Sequence, residues 1–594
     1  MARGFDDIPG SLPSDKVPKD IDISTIPFSD IAERVLGDLS GSDIDDSALW
    51  RDHFVLAGAV RTFFGRERIK KQWSSYSRER LPRSFKAGAA MIIRPTPGSS
   101  WVDVSFTFIT TQRGDVVGNG SGTASFFPNE NGQGWKLWML KTMLENFEGF
   151  GHPDDPSPVF KEQEVTNHVS EQSEHDIDVL VVGAGQNGLS VAGRLGALGI
   201  SYILLEKAPT IGFSWTGKYD AVRQHTVKEM NNLPFDRTYK ASDPTLLPAK
   251  TVAEGFQNYA EKYKINIWLN SNVESCLNSK EKPGWVVKVR KGEHEYVIKA
   301  RHIALSMGAS QSVPNPPAIK NASSFRGTIL NIGTFKNSSQ WKGKKAIVVG
   351  SATGAHDVAQ DMLDYGVGKV TMVQREKTSV FPVEWIVAGQ STIYNLDIPP
   401  QVADRIAGTE PHKVSREILK TNFDIAREIE QERFDALERV GFYVDREKPL
   451  NDGVVLRLGG YYIDVGTSAR VAKGDIKVKS RDPIKRFVPH GLEFESGDVV
   501  EADVVVFATG YQRDPRLQAA SIVGNEIANS MRFSRGFDED GELDGIMMPS
   551  YPFAWLLGGA VSIARWNSRF IALQIQAELM GHPFPACQWE TTED

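Results

Sequence analysis

The sequence predicts an α/β protein with a smaller α+β segment ahead of it. Three observations carry this. A strand, a glycine-rich turn and a helix follow one another twice, at IDVLVVGAGQNG and at KKAIVVGSATGAHD. After Asp176, apolar β-branched runs alternate with Ala/Leu-rich helical stretches, the pattern of a parallel sheet covered by helices. Before that point, segments of alternating apolar and polar residues mark antiparallel strands instead.

The chain has 594 residues, enough for about three to five folding units. Residues 1–27 are rich in Asp, Pro and Ser and show no period, so a flexible tail is expected. Residues 28–150 form the α+β segment. Helical patterning is read in FSDIAERVLGDL, DDSALWRDHFVLAG and GRERIKKQWSSYSRERL, and strands in SWVDVSFTFITTQ, DVVGNGSGTASFF and GWKLWMLKTMLEN. The aromatics Trp101, Phe106, Phe108, Trp135 and Trp138 alternate along these strands, a stripe that forms core or lines a pocket. Residues 151–175 carry prolines and charges with little apolar pattern and read as a linker that keeps the two parts separable. The remainder divides into 176–340, the first part of one dinucleotide-binding domain, 341–500, a second such domain, and 501–594, the return to the first.

The charged fraction of 24% and the formal net charge of -7 give no electrostatic reason to expect nucleic acid or an anionic membrane as partner. Cys276 and Cys587 stand far apart, outside CxxC or metal-ligand spacing, so neither a disulfide framework nor a metal site is expected. The opening MARGFDDIPGSLPSDK lacks the apolar run of a secretory leader. The longest uncharged apolar stretch, Tyr551–Ala564, is broken by Pro552 and falls short of the roughly 20 residues of a spanning helix. A cytoplasmic protein is expected.

The first repeat places Gly183, Gly185 and Gly188 in a GxGxxG turn between the strand Ile177–Val182 and a helix from Leu189. The glycines permit a tight turn, close backbone approach to a pyrophosphate, and tight packing of helix on strand. The helix N-terminus offers free N–H groups to the phosphates. Glu206 ends the next strand, where an acid accepts ribose hydroxyls. In the second repeat Gly350, Ala352 and Ala355 hold the three glycine positions, and Thr353 and Gly354 lie in the same turn. Its next strand, KVTMVQR, ends at Arg375 instead of an acid. A cation there suits a ribose 2′-phosphate, which favours NADP over NAD.

With these motifs in order, the chain resembles the flavin-containing monooxygenase family, from about Asp176 to Gly581, as two Rossmann-like dinucleotide-binding domains. GAGQNG resembles its FAD fingerprint, IGFSW, with Trp215, its GGxW segment, and GSATGAHD its NADPH fingerprint. FRGTILNIGTF resembles the signature FxGxxxHxxxF at Phe325, Gly327 and Phe335, with Asn331 in place of the histidine. DVVVFATGY, with Thr509 and Gly510, resembles the late ATG motif that passes near the flavin. RWNSRFIALQIQAELMG resembles the closing helix, with Asn567 or Ser568 as its N-cap. The segment RQHTVKEM places His225 where relatives carry a polar residue beside the flavin, and Gln186 and Asn187 are candidates to face it too. Residues 28–150 resemble the nuclear-transport-factor-like cone fold, in which a homodimer is one expectation.

The resemblance implies that NADPH reduces FAD, that the reduced flavin forms a C4a-hydroperoxide with O₂, and that one oxygen atom passes to a small-molecule substrate. Phe335–Lys336 after the signature favours N- or S-oxidation or oxidative decarboxylation over Baeyer–Villiger oxygenation. Two other readings are a flavoprotein reductase or oxidase without oxygen insertion, opposed in its dithiol form by the lack of CxxC, and a binding protein with relic nucleotide sites.

Overall fold

The computed structural model describes residues 3–13, 17–39, 43–129, 134–156, 174–278, 284–308, 313–533, 536–543 and 547–585. Three large sheets organise them. The first has six strands in the order Val60–Phe64, Ile44–His53, Trp135–Phe147, Val117–Pro128, Ser99–Thr111, Arg83–Thr96. Its pairings are antiparallel except that of Ile44–His53 with Trp135–Phe147, which is parallel. The helices Phe28–Gly37 and Arg66–Arg80 supply apolar residues to its core.

The segment DDSALWRDHFVLAG, expected as a helix, is mostly the strand Ile44–His53. Its apolar spacing fits a helix, but pairing on both edges and burial of the run Ala48–His53 override that local pattern. Trp101, Phe106, Phe108 and Trp138 are core residues, and Trp135 packs against the core.

The second sheet runs Ser271–Asn278, Trp285–Lys291, His294–Leu305, Glu174–Val182, Tyr202–Leu205, Ile267–Trp268, with Ala554–Leu556 beside His294–Leu305. The third is wholly parallel, in the order Thr328–Asn331, Val504–Phe507, Lys345–Val349, Lys369–Gln374, Ile476–Ser480. The boundary expected at 500 therefore falls one strand early: Val504–Phe507 still belongs to the third sheet, and the chain rejoins the second only at Ala554. Among the described residues no helix is long and apolar enough to cross a membrane.

One helix, Val561–Leu579, is shared by two cores. Val561, Ile571, Ala572 and Ile575 pack with the second sheet. Trp566, Phe570, Leu573 and Ala577 pack with the first. It begins after Ala560, so Asn567 and Ser568 are buried mid-helix positions and not its cap. The Ser568 hydroxyl instead donates to the Arg565 carbonyl, one turn back.

This sharing bears on the separability expected of the two parts. Arg569 is buried and donates to the Leu144 and Glu145 carbonyls, to the Glu145 carboxylate and, at 2.9 Å, to Asp154. Arg194 on the helix Gln186–Ala197 also pairs with Asp154, and Arg405 joins both acids. Arg51 on the first sheet makes a buried pair with Glu542 at 2.6 Å. The parts on either side of 151–175 are thus locked together by apolar and ionic contacts. Residues 157–173, the bulk of the expected linker, lie outside the described residues. The stretch expected as a flexible tail is also docked: Phe5 and Ile8 pack on Phe537, and Val17 enters the first core.

Burial alone would raise the Glu145 carboxyl, but Arg569 and Arg405 outweigh it and bring it from 4.5 to about 2. Because the folded value lies below the free one, its contribution is complete above pH 4.5 and is lost as pH falls toward 2. The melting temperature of the wild type should fall more steeply across that window than that of Glu145→Gln, which should be less stable at neutral pH. Parallel curves in a thermal melt series would remove Glu145 from the junction's stability.

Candidate active site

The two glycine turns sit at equivalent places on the second and third sheets. Strand Glu174–Val182 passes through Gly183, at φ +101°, into the helix Gln186–Ala197. Strand Lys345–Val349 passes through Gly350, at φ +128°, into the helix Thr353–Asp364. Both φ values favour glycine. Neither helix has a side-chain cap at its N-cap, Gly185 or Ala352, so backbone N–H groups of each first turn are left to a ligand.

The glycines of the first turn have different neighbours. A Cβ on Gly188 would lie 1.9 Å from the Gly183 carbonyl oxygen, so this glycine serves close packing. A Cβ on Gly185 would meet nothing within 4 Å. That open space beside an uncapped helix end is the cradle a pyrophosphate needs. The Glu206 carboxylate accepts from the backbone of Ala184 at 2.9 Å and of Ala208 at 2.8 Å, which fixes it against the turn. Gln186 donates to the Gly559 carbonyl at 3.2 Å, and Asn187 is buried in the first helical turn.

The second turn opens on a cleft of about 1270 Å³. Gly350, Ala352, Thr353 and Gly354 line it. A Cβ on Gly350 would meet the Ala508 carbonyl oxygen at 2.4 Å. Arg375 stands at the cleft, 88% exposed, and shares its charge with Glu376 at 3.2 Å. Sequence reasoning missed its companions Lys377, Arg457 and Arg481. The Arg481 guanidinium lies 3.3 Å from the Tyr443 ring centroid, held flat by the aromatic face. The Gly459–Gly460 pair, a turn signal in the sequence, also borders the cleft.

Thr509 and Gly510 line this second cleft. Their strand lies in the third sheet, and the Thr509 hydroxyl donates to the Asn315 carbonyl at 2.9 Å. The signature residues are structural. Phe325 and Phe335 are core residues. A Cβ on Gly327 would meet the Asp503 carbonyl oxygen at 2.3 Å. Asn331 closes a turn, accepting from the Gly333 backbone at 2.9 Å.

The segment 212–226 touches the cores of both sheets. Trp215, in the short helix Phe213–Thr216, packs against the cores of both sheets. Lys218 lies 5.3 Å from the Trp215 ring centroid, and burial pushes its ammonium down to about 8. The Tyr219 hydroxyl donates to Asp357 of the second helix at 2.7 Å. Burial raises Asp357 to about 6 despite that bond. His225 keeps a buried Nε2 with no hydrogen-bond partner. Burial first, then Arg223, brings its pKa down to about 4, so its ring is neutral at physiological pH. A buried unsatisfied ring nitrogen is rare in native proteins, and a polar ligand atom is one way to complete its bonding.

Compared flavin-free, Gly185→Ala should melt with the wild type, yet it should retain little flavin, because its methyl enters only the open cradle. Gly188→Ala should melt lower with or without ligand. Equal losses of stability in the two variants, read by thermal melts and flavin absorbance, would contradict the assignment of the open space.

Residues 180–397 match the family described as pyridine nucleotide-disulphide oxidoreductase. The chain is 26% identical over 382 residues to indole-3-pyruvate monooxygenase YUCCA6 of Arabidopsis thaliana, covering 63% of this chain and 82% of that protein. It is 27% identical over 351 residues to indole-3-pyruvate monooxygenase YUCCA4 of Oryza sativa subsp. japonica, covering 56% and 74%. In fold it is similar to a cyclohexanone-bound cyclohexanone monooxygenase, with TM-score 0.50 and 17% identity over 69% of this chain and 88% of that one. An oxidised steroid monooxygenase bound to NADP gives TM-score 0.50 and 15% identity over 68% and 86%. Over these residues the chain is similar in sequence to proteins named as oxidoreductases and monooxygenases, and in fold to cyclohexanone and steroid monooxygenases.

Proposed function

We propose that this protein is an FAD- and NADPH-dependent monooxygenase that transfers one oxygen atom from O₂ to a small-molecule metabolite, by N- or S-oxidation or oxidative decarboxylation. The observation that carries this reading is the open, uncapped turn at Gly185 together with a second, cation-lined cleft at Gly350–Gly354, Trp215 packing on the cores of both sheets. Gly183, Gly185, Gln186, Gly188 and Glu206 would hold FAD. Gly350, Ala352, Thr353 and Gly354 would hold the NADPH pyrophosphate, with Arg375 at the 2′-phosphate. When bound, the flavin supplies hydride acceptance and activation of O₂.

The chain's own residues orient the cofactors, exclude water and offer hydrogen bonds. The neutral ring of His225 offers a nitrogen without a partner to a bound polar group, and Asn187 stands at the start of the first helix. The six-stranded sheet is taken as the cone fold and as a support for the C-terminal helix; pairing of two copies belongs to the same reading, and sedimentation mass tests it. Oxygen uptake with NADPH across amines, thioethers, ketones and 2-oxo acids, with product and H₂O₂ quantified together, tests the function. NADPH oxidation that yields only H₂O₂ with every class would favour an oxidase.

Two outcomes are specific. Arg375→Ala should weaken NADPH by roughly ten- to a hundred-fold and leave NADH unchanged, since a hydrogen bond to a charged group is worth about 1.5–3 kcal/mol. Equal weakening of both nucleotides would assign Arg375 a structural role.

His225→Ala should consume NADPH at the wild-type rate while H₂O₂ replaces product. Because the ring stays neutral well above pH 4, the difference between variant and wild type should be flat from pH 6 to 8. An unchanged product yield would take His225 out of the chemistry.

A further inference from the structure

The two dinucleotide modules meet in a buried polar contact to which the proposed function gives no role. Tyr219 and Asp357 are each 6% exposed, and the hydroxyl–carboxylate distance is 2.7 Å. Asp357 lies on the helix that opens directly from the second glycine turn. Tyr219 lies on the segment that carries Trp215 on one side and His225 on the other. The hydroxyl of Tyr219 is 3.9 Å from where a Cβ of Gly354 would stand, so the contact touches the turn itself. The Tyr219 ring is embedded in the core of the third sheet with Phe335 and Ile332, and Ile332 also lines the cleft.

A polar pair is a costly way to fill a buried position. Tyrosine and aspartate lose hydration there, and an apolar pair of similar volume would pack without that loss. What the pair adds over apolar packing is direction. The short bond fixes the hydroxyl to one point of the second helix, and the phenol transmits that point to the backbone at 219. From there the chain runs six residues to His225, pinned by the Gln224 amide on the Leu247 carbonyl at 2.8 Å and the Val227 amide on Gln390 at 3.0 Å. Other ties hold the near end of the segment: the Asp220 amide donates to the Lys336 carbonyl at 2.9 Å, and Lys336 donates to the Gly217 and Lys218 carbonyls. Both of these ties lead to the third-sheet side as well.

Resting on the proposed function, we infer that the Tyr219–Asp357 hydrogen bond positions the His225 segment from the second nucleotide turn, so that nucleotide seated at Gly350–Gly354 orders the segment where oxygen transfer takes place. Tyr219 and Asp357 are positioning residues; neither touches the reacting atoms. The bond couples the two sites through a contiguous set of contacts with one short polar step, and removing that step should leave both binding sites present while weakening the coupling between them.

The test uses the full-length, flavin-loaded protein and NADP⁺ as the probe. Hydrogen exchange of peptides spanning 217–227 is followed with and without NADP⁺, alongside NADP⁺ titration by calorimetry and thermal melts. In the wild type, NADP⁺ should slow exchange in 217–227. Tyr219→Phe, which keeps the ring, should bind NADP⁺ within about threefold of wild type, keep its flavin and lose that protection. Asp357→Asn, whose amide oxygen still accepts from the phenol, should retain it, and Asp357→Ala should lose it. In turnover, Tyr219→Phe should shift at least half of the NADPH consumed from product to H₂O₂, with the KM for NADPH unchanged. Protection that persists in Tyr219→Phe, or an Asp357→Asn variant as impaired as Asp357→Ala, would overturn the inference. Wild-type protein that binds NADP⁺ with no change in 217–227 would overturn it while leaving the proposed function standing. Wild-type protein that takes up neither FAD nor NADP⁺ would instead defeat the functional reading itself.

Discussion

The burial of two arginines on one helix is the constraint around which the rest of the molecule is arranged. Arg565 and Arg569 are each 1% exposed, and neither charge is tolerable there without full compensation. Arg565 obtains it from Asp404 at 2.6 Å and from the Met230 and Asn232 carbonyls. Arg569 obtains it from the first sheet, through Leu144 and Glu145, and from Asp154. The helix is thereby tied to the six-stranded sheet, to the helical region around 404, and to the loop beyond His225. Its apolar residues reinforce the same ties by filling the cores on either side. The carboxylates Glu145 and Asp154 lie with His152 close enough to suggest a metal ligand set, but three guanidinium groups already balance them.

Against that rigid centre, the two nucleotide turns show how similar local sequences serve different ends. In each, a glycine in the left-handed region turns the chain from strand to helix, and an adjacent backbone carbonyl forbids any side chain there. Only at Gly185 does the missing side chain leave space facing outward. The second turn tolerates Ala352 because the residue sits at the N-cap in extended backbone, φ -93°, with its methyl away from the left-handed strain of Gly350. The cleft it opens on takes its charge from several segments, and Arg375 is one cation among at least four.

Much of this is legible in the sequence. Gly183, Gly188 and Gly350 announce tight turns because only glycine fits them, and the β-branched runs before them announce buried parallel strands. The strand Ile44–His53 reads as a helix because its apolar spacing suits one; its true state is set by partners that lie some ninety residues on, at Trp135–Phe147. The docking of residues 3–13 and the shared C-terminal helix are illegible for the same reason. An arginine written in a sequence looks solvent-exposed, and nothing local to Arg569 tells of Glu145. His225 is marked by its place in a motif, whereas Tyr219 and Asp357 look like ordinary residues until the fold sets them face to face. Thr509 and Gly510 follow a strand of the third sheet and border its cleft, a placement that the strand's own residues do not announce.

The shared helix also imposes an order of events on biosynthesis. Arg569 and its carbonyl partner at Leu144 are 425 residues apart. At roughly 5–20 residues per second, about 20–85 s pass between synthesis of the first sheet and of the helix that completes its core. Throughout that interval the apolar face destined for Trp566, Phe570 and Leu573 is open to solvent, and Glu145 and Asp154 still await Arg569. A ribosome that stalls within the nucleotide-binding region leaves behind a sheet whose apolar face is incomplete.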